Sequence, residues 1–305
     1  MKNEDGEFTE IPVQFYNDKI WFLASPDENT SGKATYIVKK DSRAKEVEKL
    51  SAIKKNGDLQ LVSESGSLVR YRYETTYPPK GVDSIFKKSG YIHPIITLKG
   101  DTLSRVNPVD HIHHYGVWGP WTHTRIDTTQ VDFWNLGEGM GTVLFKYFKT
   151  TSEGNISSSF NAHQEHLDLI TKDAPQVALD EDLEVTLWNL NSTDRYMLDY
   201  SSKFKTPLQN GILFEAYRYG GGLGMRFTER WHKDNCEVLT SEGKNRMSAD
   251  GTNARWCIVS GSASDSTSTN GILFLSHPQN RMHPEPMRIW PLDGNYGRGD
   301  MFFEF

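Results

Sequence analysis

The stretch from Val177 to Leu190 reads VALDEDLEVTLWNL, a run of β-branched and apolar residues interspersed with polar ones. Such a run is typical of a β-strand that buries one of its faces. Comparable runs, bounded by Gly, Pro, Asn or Asp, recur at residues 13–15, 20–23, 35–38, 59–62, 68–74, 141–148, 196–204, 211–217, 224–230, 254–260 and 271–276. The chain is therefore predicted to consist mainly of short strands.

One segment has a helical pattern. Apolar residues recur at three-residue intervals from Ala44 to Ile53, and the spacing predicts a single helix over residues 42–53. Because a one-sided sheet must bury its apolar face against another sheet, the many strands predict an all-β fold, a large two-sheet antiparallel β-sandwich with little helix. No linker is evident, so residues 1–305 are predicted to be one domain. The alternating run 301–305 predicts that one or two C-terminal strands follow in the full-length protein.

Composition restricts the partners that can be expected. The formal net charge is -6 and no run of Lys or Arg stands out, so nucleic acid is not expected as a partner. No apolar stretch reaches the roughly 18 to 20 residues that cross a bilayer, so no membrane partner is expected. Aromatic residues make up 12% of the chain, and such rings suit sugar faces as well as β-sheet cores. Cys236 and Cys257 allow either one disulfide or two buried thiols.

The densest group of polar and aromatic residues lies between residues 91 and 134. It contains Tyr91-Ile92-His93-Pro94 and Asp110-His111-Ile112-His113-His114-Tyr115-Gly116-Val117-Trp118-Gly119-Pro120-Trp121-Thr122-His123, which hold half of the ten histidines. In an extended chain His111 and His113 lie on one face and His114 on the other, unless a bulge re-aims His114. Paired histidines are a common start for a divalent metal site, which His93, His123 or an acid such as Asp110 or Asp132 would complete. The alternatives are neutral imidazoles that act as acid and base, and rings that only cap loops.

Three further segments carry candidate site residues. Val131-Asp132-Phe133-Trp134-Asn135 combines an acid, an indole and an amide, a mixture that is used to hold sugars. Glu215, Tyr219 and Arg226 surround a glycine-rich turn, for which the alternative is a hairpin with Arg226 in a structural ion pair. A segment with two His-Pro steps adds His277, Asn280 and His283, and it lines a pocket or crosses the end of the sandwich.

Six segments occur together along the chain, at residues 91–94, 110–118, 131–135, 219–226, 253–256 and 277–280. Jointly they resemble the PmoA-like family of bacterial proteins, whose label comes from a methane oxygenase subunit. The resemblance implies the galactose mutarotase-like supersandwich of aldose epimerases, with a sugar-sized cleft on one sheet, and a periplasmic or secreted location. Many members have Arg after the paired histidines where this chain has Tyr115, which makes phosphorylated substrates less expected.

These residues predict a carbohydrate-active protein, and the leading interpretation is an enzyme that uses acid–base chemistry on a glycoside or oxidised sugar, of lyase, hydrolase or epimerase type. The predicted catalytic residues are His111, His113, His114, His123, Asp132 and Glu215. The predicted substrate-binding residues are His93, Trp118, Trp121, Trp134, Asn135, Tyr219, Arg226, His277, Asn280 and His283. A divalent metal on His111, His113 and His123 is a possible cofactor and would polarise a sugar oxygen. The alternatives are a non-catalytic carbohydrate-binding module and a purely structural β domain.

Overall fold

The structure is a computed structural model that describes residues 10–16, 18–24, 36–38, 49–217, 221–290 and 300–305. These residues form antiparallel β-sheets, with single 3-10 turns at Ser84–Phe86 and Leu136–Glu138. The predicted fold class, an all-β sandwich-like protein with little helix, is confirmed. Within these ranges no helix has the length and apolar character needed to span a membrane.

The strands are numbered here in chain order. They are β1 (Gln14–Tyr16), β2 (Lys19–Trp21), β3 (Ser51–Lys55), β4 (Asp58–Ser63), β5 (Gly66–Arg72), β6 (Tyr91–Ile95), β7 (Val117–Trp118), β8 (Thr124–Ile126), β9 (Thr129–Val131), β10 (Gly141–Ser152), β11 (Ser157–Asp168), β12 (Gln176–Trp188), β13 (Met197–Lys205), β14 (Leu213–Phe214), β15 (Gly224–Arg226), β16 (Cys236–Thr240), β17 (Trp256–Ser262), β18 (Thr269–Leu275), β19 (Arg288–Ile289) and β20 (Phe302–Glu304).

The largest sheet has eight strands in the order β19-β20-β15-β7-β6-β5-β4-β3. It joins strands that are far apart in sequence, since β7, β15 and β20 are neighbours. A four-stranded sheet (β10 to β13) and a three-stranded sheet (β16 to β18) are antiparallel meanders, in which each strand pairs with the next one along the chain. Two small sheets, β14-β8-β9 and β1-β2, complete the described strands.

The main hydrophobic core lies on one face of the eight-stranded sheet. A row of paired residues crosses that face, with Ile92, Val117, Met225, Phe303 and Ile289 on successive strands. Buried side chains of the two meanders pack against the same core, and they are Phe160, Ala162, Leu183, Val185, Leu187, Cys236, Val238, Cys257 and Val259. Burial of these apolar faces, at roughly 25 cal/mol per Å², stabilises the stacked arrangement of the sheets.

A buried polar network interrupts this core beneath the four-stranded sheet. The Glu181 carboxylate lies 2.8 Å from His166 Nε2, and it accepts hydrogen bonds from Gln164 Nε2 at 3.1 Å and Ser202 Oγ at 2.5 Å. Tyr71, on the facing sheet, donates to Gln164 Oε1 at 3.0 Å. The network therefore supplies partners to the Glu181 carboxylate, to Gln164 and to His166 Nε2, whereas His166 Nδ1 has no hydrogen-bond partner among the described residues.

The predicted helix over residues 42–53 is wrong where it can be compared. Residues 51–53 lie in β3, where Ile53 pairs with Gln60 of β4, and residues 42–48 lie outside the described ranges. Pairing with β4 at the sheet edge overrides the weak helical spacing. Residues 36–38 form no strand, and the run 211–217 contains only the two-residue strand β14.

The two cysteines are free. Both thiols are buried, and in the paired strands β16 and β17 Cys236 lies opposite Gly261 while Cys257 lies opposite Thr240. Burial raises the pKa of each thiol to about 12, so both groups stay protonated at neutral pH. They act as small apolar core residues.

Candidate functional site

The candidate site lies on the face of the eight-stranded sheet opposite the main core. Successive residues of a strand point to opposite faces, so Tyr91, Trp118 and Phe302 project away from the core. They pack with Tyr115, Trp134, Leu136 and Trp290 in a second, aromatic cluster. The sequence of each strand thus divides its side chains between a structural face and the site.

A tight loop delivers the three histidines to this cluster. Residues 110–114 form consecutive turns rather than an extended strand, and Asn107, with a left-handed φ of 45°, closes the loop by donating to the His114 oxygen at 2.9 Å. The Asn107 amide also donates to the Ile112 oxygen at 2.6 Å. The predicted extended geometry is therefore wrong, because these turns re-aim His114 toward its neighbours.

Gly116 allows the loop to return to the sheet. Its φ is +63°, and a Cβ at this position would lie 2.1 Å from the Ile92 oxygen. Only glycine tolerates both the conformation and the close approach of the two backbones. The loop is thereby held against β6, directly before Val117 and Trp118 enter the sheet.

The three imidazoles lie close together. The ring centroid of His114 is 4.8 Å from that of His111 and 4.8 Å from that of His113, and the latter two are 5.5 Å apart. His114 is fully buried and stacks on Trp134 and on Phe302, at centroid distances of 5.4 and 4.6 Å. The structure therefore brings His111, His113, His114, Trp118 and Trp134 into one place, as the clustering in the sequence predicts.

An ion-pair network borders the imidazoles. Arg226, which is fully buried, donates through Nη2 to both oxygens of Asp110 at 2.7 and 2.9 Å. The same Asp110 lies 3.2 Å from His111 Nδ1. Asp300 is 3.5 Å from Arg226 and 2.9 Å from Arg105, so two guanidinium groups and two carboxylates alternate. Asp110 orients both His111 and Arg226, which makes it the central acid of the site.

Side-chain exposure identifies the open side of the cluster. Asp110 is 28% exposed and His111 19% exposed, whereas His114 and Arg226 have no exposed surface. A ligand would therefore meet Asp110, His111 and the half-buried His113 first.

The environment perturbs the proton affinities of these groups. Burial and the nearby charges of His111 and Arg226 lower the pKa of His113 to about 4. Burial, together with His113, lowers the pKa of His114 well below its usual value. Burial raises the pKa of Asp110, but the hydrogen bond from His111 and the charge of Arg226 outweigh it and hold that pKa well below its usual range. At pH 7 the site thus contains an ionised Asp110 beside neutral His113 and His114.

Two predicted catalytic acids have structural contacts in the described residues. Asp132 Oδ1 accepts the backbone N–H groups of Trp134 and Asn135, both at 2.8 Å, and its Oδ2 accepts the Asn135 amide at 2.7 Å. Asp132 therefore holds the turn that presents Trp134. Glu215 forms a bidentate ion pair with Arg125 at 2.9 to 3.1 Å.

The remaining candidates near β8 lie beside the cluster rather than in it. His123 stacks on Tyr217 at a centroid distance of 3.9 Å, and Trp121 contacts Phe214 at 4.4 Å. Tyr219 lies outside the described residues. Neither His123 nor Trp121 has a ring contact with the three imidazoles among the described residues.

Four predicted substrate-binding residues form contacts of their own. His93 Nδ1 lies 2.9 Å from Ser104 Oγ, and burial lowers its pKa to about 4. His283 Nδ1 lies 2.6 Å from Ser276 Oγ, and Asn280 donates to Glu285 at 2.6 Å. His277 is exposed on the same segment. The structure therefore places Asn280 and His283 in a separate polar group with Ser276 and Glu285, while His277 accepts only the backbone N–H of Gln279 among its described side-chain bonds.

The predicted metal ligands do not converge. The side chains of His111, His113 and His123 do not place a ligand atom each within 4.8 Å of one another. In the part of the chain that the structure describes, only His163, Glu165 and Asp180 form such a group, on the outer face of β11 and β12. Lys146 lies 3.1 Å from Glu165, so this surface already contains a compensating cation.

Two members of the aromatic cluster were not among the sequence candidates. The Trp290 ring is 4.6 Å from His111 and the Phe302 ring is 4.6 Å from His114. Their alternating neighbours Ile289 and Phe303 face the main core. The apolar run around residue 302 predicts a strand with both faces buried. No local feature indicates that Phe302 packs in the aromatic cluster.

Comparison with known proteins gives one match. A family described as a family of unknown function (DUF6807) matches residues 58–303. No curated protein and no solved structure matches the chain. No PmoA-like family is matched, so the resemblance drawn from the six segments is corrected, and the label is not supported. The matched residues include every strand from β4 to β19, and the chain belongs to the DUF6807 family of unknown function.

Proposed function

We propose that this protein is a carbohydrate-active enzyme whose site is the cluster of His111, His113 and His114 with its surrounding indoles. The observation that carries the proposal is the contact of an ionised Asp110 with His111, next to a neutral His113, at the open side of an aromatic wall. Imidazoles held by a carboxylate are common general acids and bases, and indoles stack on the C–H faces of sugars.

The proposed roles follow from contacts and charge. Asp110 orients His111 through Nδ1, and in the proposed mechanism His111 donates a proton to a leaving or ring oxygen. His113, neutral at pH 7 because its pKa is about 4, accepts a proton from a substrate hydroxyl or C–H. Trp134 lies edge-on to His113, at a centroid distance of 5.4 Å, and flanks the substrate.

These roles differ from those expected for the acids. Asp132 and Glu215 have structural partners, so Asp110 replaces them as the carboxylate of the mechanism. The same observation favours a second candidate, a carbohydrate-binding module without turnover, because neither of the two acids is free to remove a proton. The reaction assay below distinguishes the two candidates.

The experiment is a turnover assay on a panel of plain and oxidised glycosides. We expect His113→Ala to lower kcat/KM by about 100-fold or more, which is the usual contribution of a general base. Asp110→Asn is expected to lower kcat/KM by at least about tenfold, since it removes the charge that holds His111. His232→Ala is the matched control, because His232 lies on a separate turn with Asn235.

Two outcomes would contradict the enzyme. If no member of a broad panel is turned over but calorimetry detects saturable sugar binding that Trp134→Ala abolishes, the protein is a binding module. If neither turnover nor binding is found, and the histidine variants change only the unfolding midpoint, the cluster is structural.

A further inference from the structure

Three buried side chains of the cluster carry nitrogen atoms without a hydrogen-bond partner among the described residues. They are both ring nitrogens of His114, Nε1 of Trp118, and Nε and Nη1 of Arg226. None of the three side chains is more than 3% exposed. A buried donor or acceptor left unpaired costs about 1 to 3 kcal/mol, so native interiors rarely contain several together.

These atoms belong to one contiguous region. The ring centroid of Trp118 is 5.1 Å from that of His114. Trp290 lies between His114 and Arg226, since the Trp290 ring is 6.0 Å from the His114 ring and 5.1 Å from Arg226 Cζ. The unpaired groups therefore surround the same part of the aromatic cluster, next to the residues of the proposed mechanism.

The kinds of atom indicate what a partner must offer. Trp118 Nε1 contributes one N–H, and Arg226 contributes three through Nε and Nη1. Neutral His114 adds one N–H and a single acceptor lone pair. These three side chains together therefore offer more donors than acceptors. Each sugar hydroxyl accepts through its oxygen but also brings one O–H, which needs an acceptor when it is buried, and the three side chains offer only the single lone pair of His114.

A carboxylate matches this excess, because its two oxygens accept about four hydrogen bonds and donate none. We propose that the ligand of this site is a sugar acid, a hexuronate or a related carboxylated sugar, whose carboxylate is held by Arg226, Trp118 and His114. This inference rests on the proposed function and names its substrate class. Recognition depends on directed N–H groups, since Asp110 and Asp300 already balance the charges of Arg226 and Arg105.

The test is calorimetric binding of glucuronate and galacturonate, compared with glucose and galactose under the same conditions. We expect the acids to bind at least about tenfold more tightly, the effect of one charge-assisted hydrogen bond. Trp118→Phe keeps a flat ring and removes one N–H, and it should reduce the preference for the acids severalfold.

Arg226→Lys removes Nε and Nη1 while it keeps a cation for Asp110, and it should abolish the preference for the acids. Because Arg226 is buried, the unfolding midpoint of this variant is measured first, and Trp118→Phe provides the independent result if folding fails. The matched control is Arg230→Lys, in a different Arg–Asp pair, with Asp101. It should leave both affinities within about twofold.

The outcomes separate this inference from the proposed function. Equal binding of acids and neutral sugars overturns the inference and leaves a carbohydrate-active site. An acid preference that survives in both variants also overturns it, since the anion is then held elsewhere. Tight binding of acetate or inorganic sulfate with no gain from the sugar ring contradicts the proposed function, as does the absence of any sugar binding.

Discussion

His114 and His166 are both buried imidazoles, but they differ in their hydrogen bonding. His166 Nε2 lies 2.8 Å from the Glu181 carboxylate, within a network that includes Gln164 and Ser202. Among the described residues, His166 Nδ1 has no hydrogen-bond partner, and neither nitrogen of His114 has one, so only His166 is held by a hydrogen bond. The His166 ring lies between stacked sheets, and the His114 ring lies on the opposite face of the eight-stranded sheet.

Under the proposal made above, this difference separates polar groups that hold the fold together from polar groups that receive partners from a ligand. Partners around a buried carboxylate lower the free energy of the folded chain, so the loss of that carboxylate is costly. An unsatisfied group raises that free energy, and it is retained where binding supplies the missing partner. The two regions should therefore respond in opposite ways to the same kind of substitution.

The largest effect is expected at Glu181. Glu181→Ala leaves His166, Gln164 and Ser202 buried without their acceptor, and the free energy of unfolding should fall by about 3 to 5 kcal/mol. Urea unfolding measures this change. Glu184→Ala, at an exposed position of the same strand, should change stability by less than about 0.5 kcal/mol. Equal losses of stability in the two variants would contradict a structural role for the network.

Acid should weaken the fold through the histidines near the site. His93 and His113 have pKa values of about 4 in the folded chain, below the value of about 6.5 in the unfolded chain. Between these values the unfolded chain binds more protons, so stability is lost as the pH falls from about 6.5 toward about 4. Each histidine should cost about 2 kcal/mol at pH 5.

Urea unfolding at pH 7 and pH 5 tests this expectation. The loss between the two pH values should be smaller by about 2 kcal/mol in His93→Gln than in the unmodified protein. His277→Gln is the control, because His277 is exposed. An unchanged loss in His93→Gln would show that this ring takes up its proton equally in both states.

Phenylalanine substitutions compare the two rings directly. His166→Phe removes a partner of the buried Glu181 and should cost about 1 to 2 kcal/mol. His114→Phe removes two unpaired nitrogens from an aromatic stack and should leave stability unchanged or raise it by about 1 kcal/mol, while it weakens ligand binding. The measurement is the shift of the urea midpoint, and shifts of the same sign would break the comparison.

The smallest effect is expected at Asp132. Asp132→Asn keeps an oxygen for the backbone N–H groups of Trp134 and Asn135, so kcat/KM should stay within about threefold and stability within about 1 kcal/mol. The turnover assay on the same glycoside panel checks this result. A loss of about 100-fold would return Asp132 to a catalytic role.

Most strands could be predicted from the sequence, and the exceptions have a physical cause. In β12, Leu183, Val185 and Leu187 alternate with polar residues, and the pattern is visible because one face is apolar. In β11 the buried residues include Gln164, His166 and Asp168, so the side chains alternate in burial but not in hydrophobicity. A strand whose buried face is polar gives no period-2 hydrophobic signal.

The part of the site that is formed by one short segment could be predicted from the sequence. His111, His113 and His114 are near neighbours in sequence, so a single loop brings them together. Their partners Arg226, Trp290 and Phe302 are more than 100 residues away, and only the order of strands in the large sheet puts them nearby.

The sequence by itself determined the all-β class, most strand positions and the segment that holds the imidazoles, because each of these depends on periodicity or spacing within about ten residues. Only the tertiary structure decided that Asp110 orients His111, that Asp132 and Glu215 have structural partners, and that Arg226 and Trp118 keep unpaired donors. Those assignments depend on the register of strands such as β7 and β15, and register is a long-range property of the sheet that local pattern does not contain.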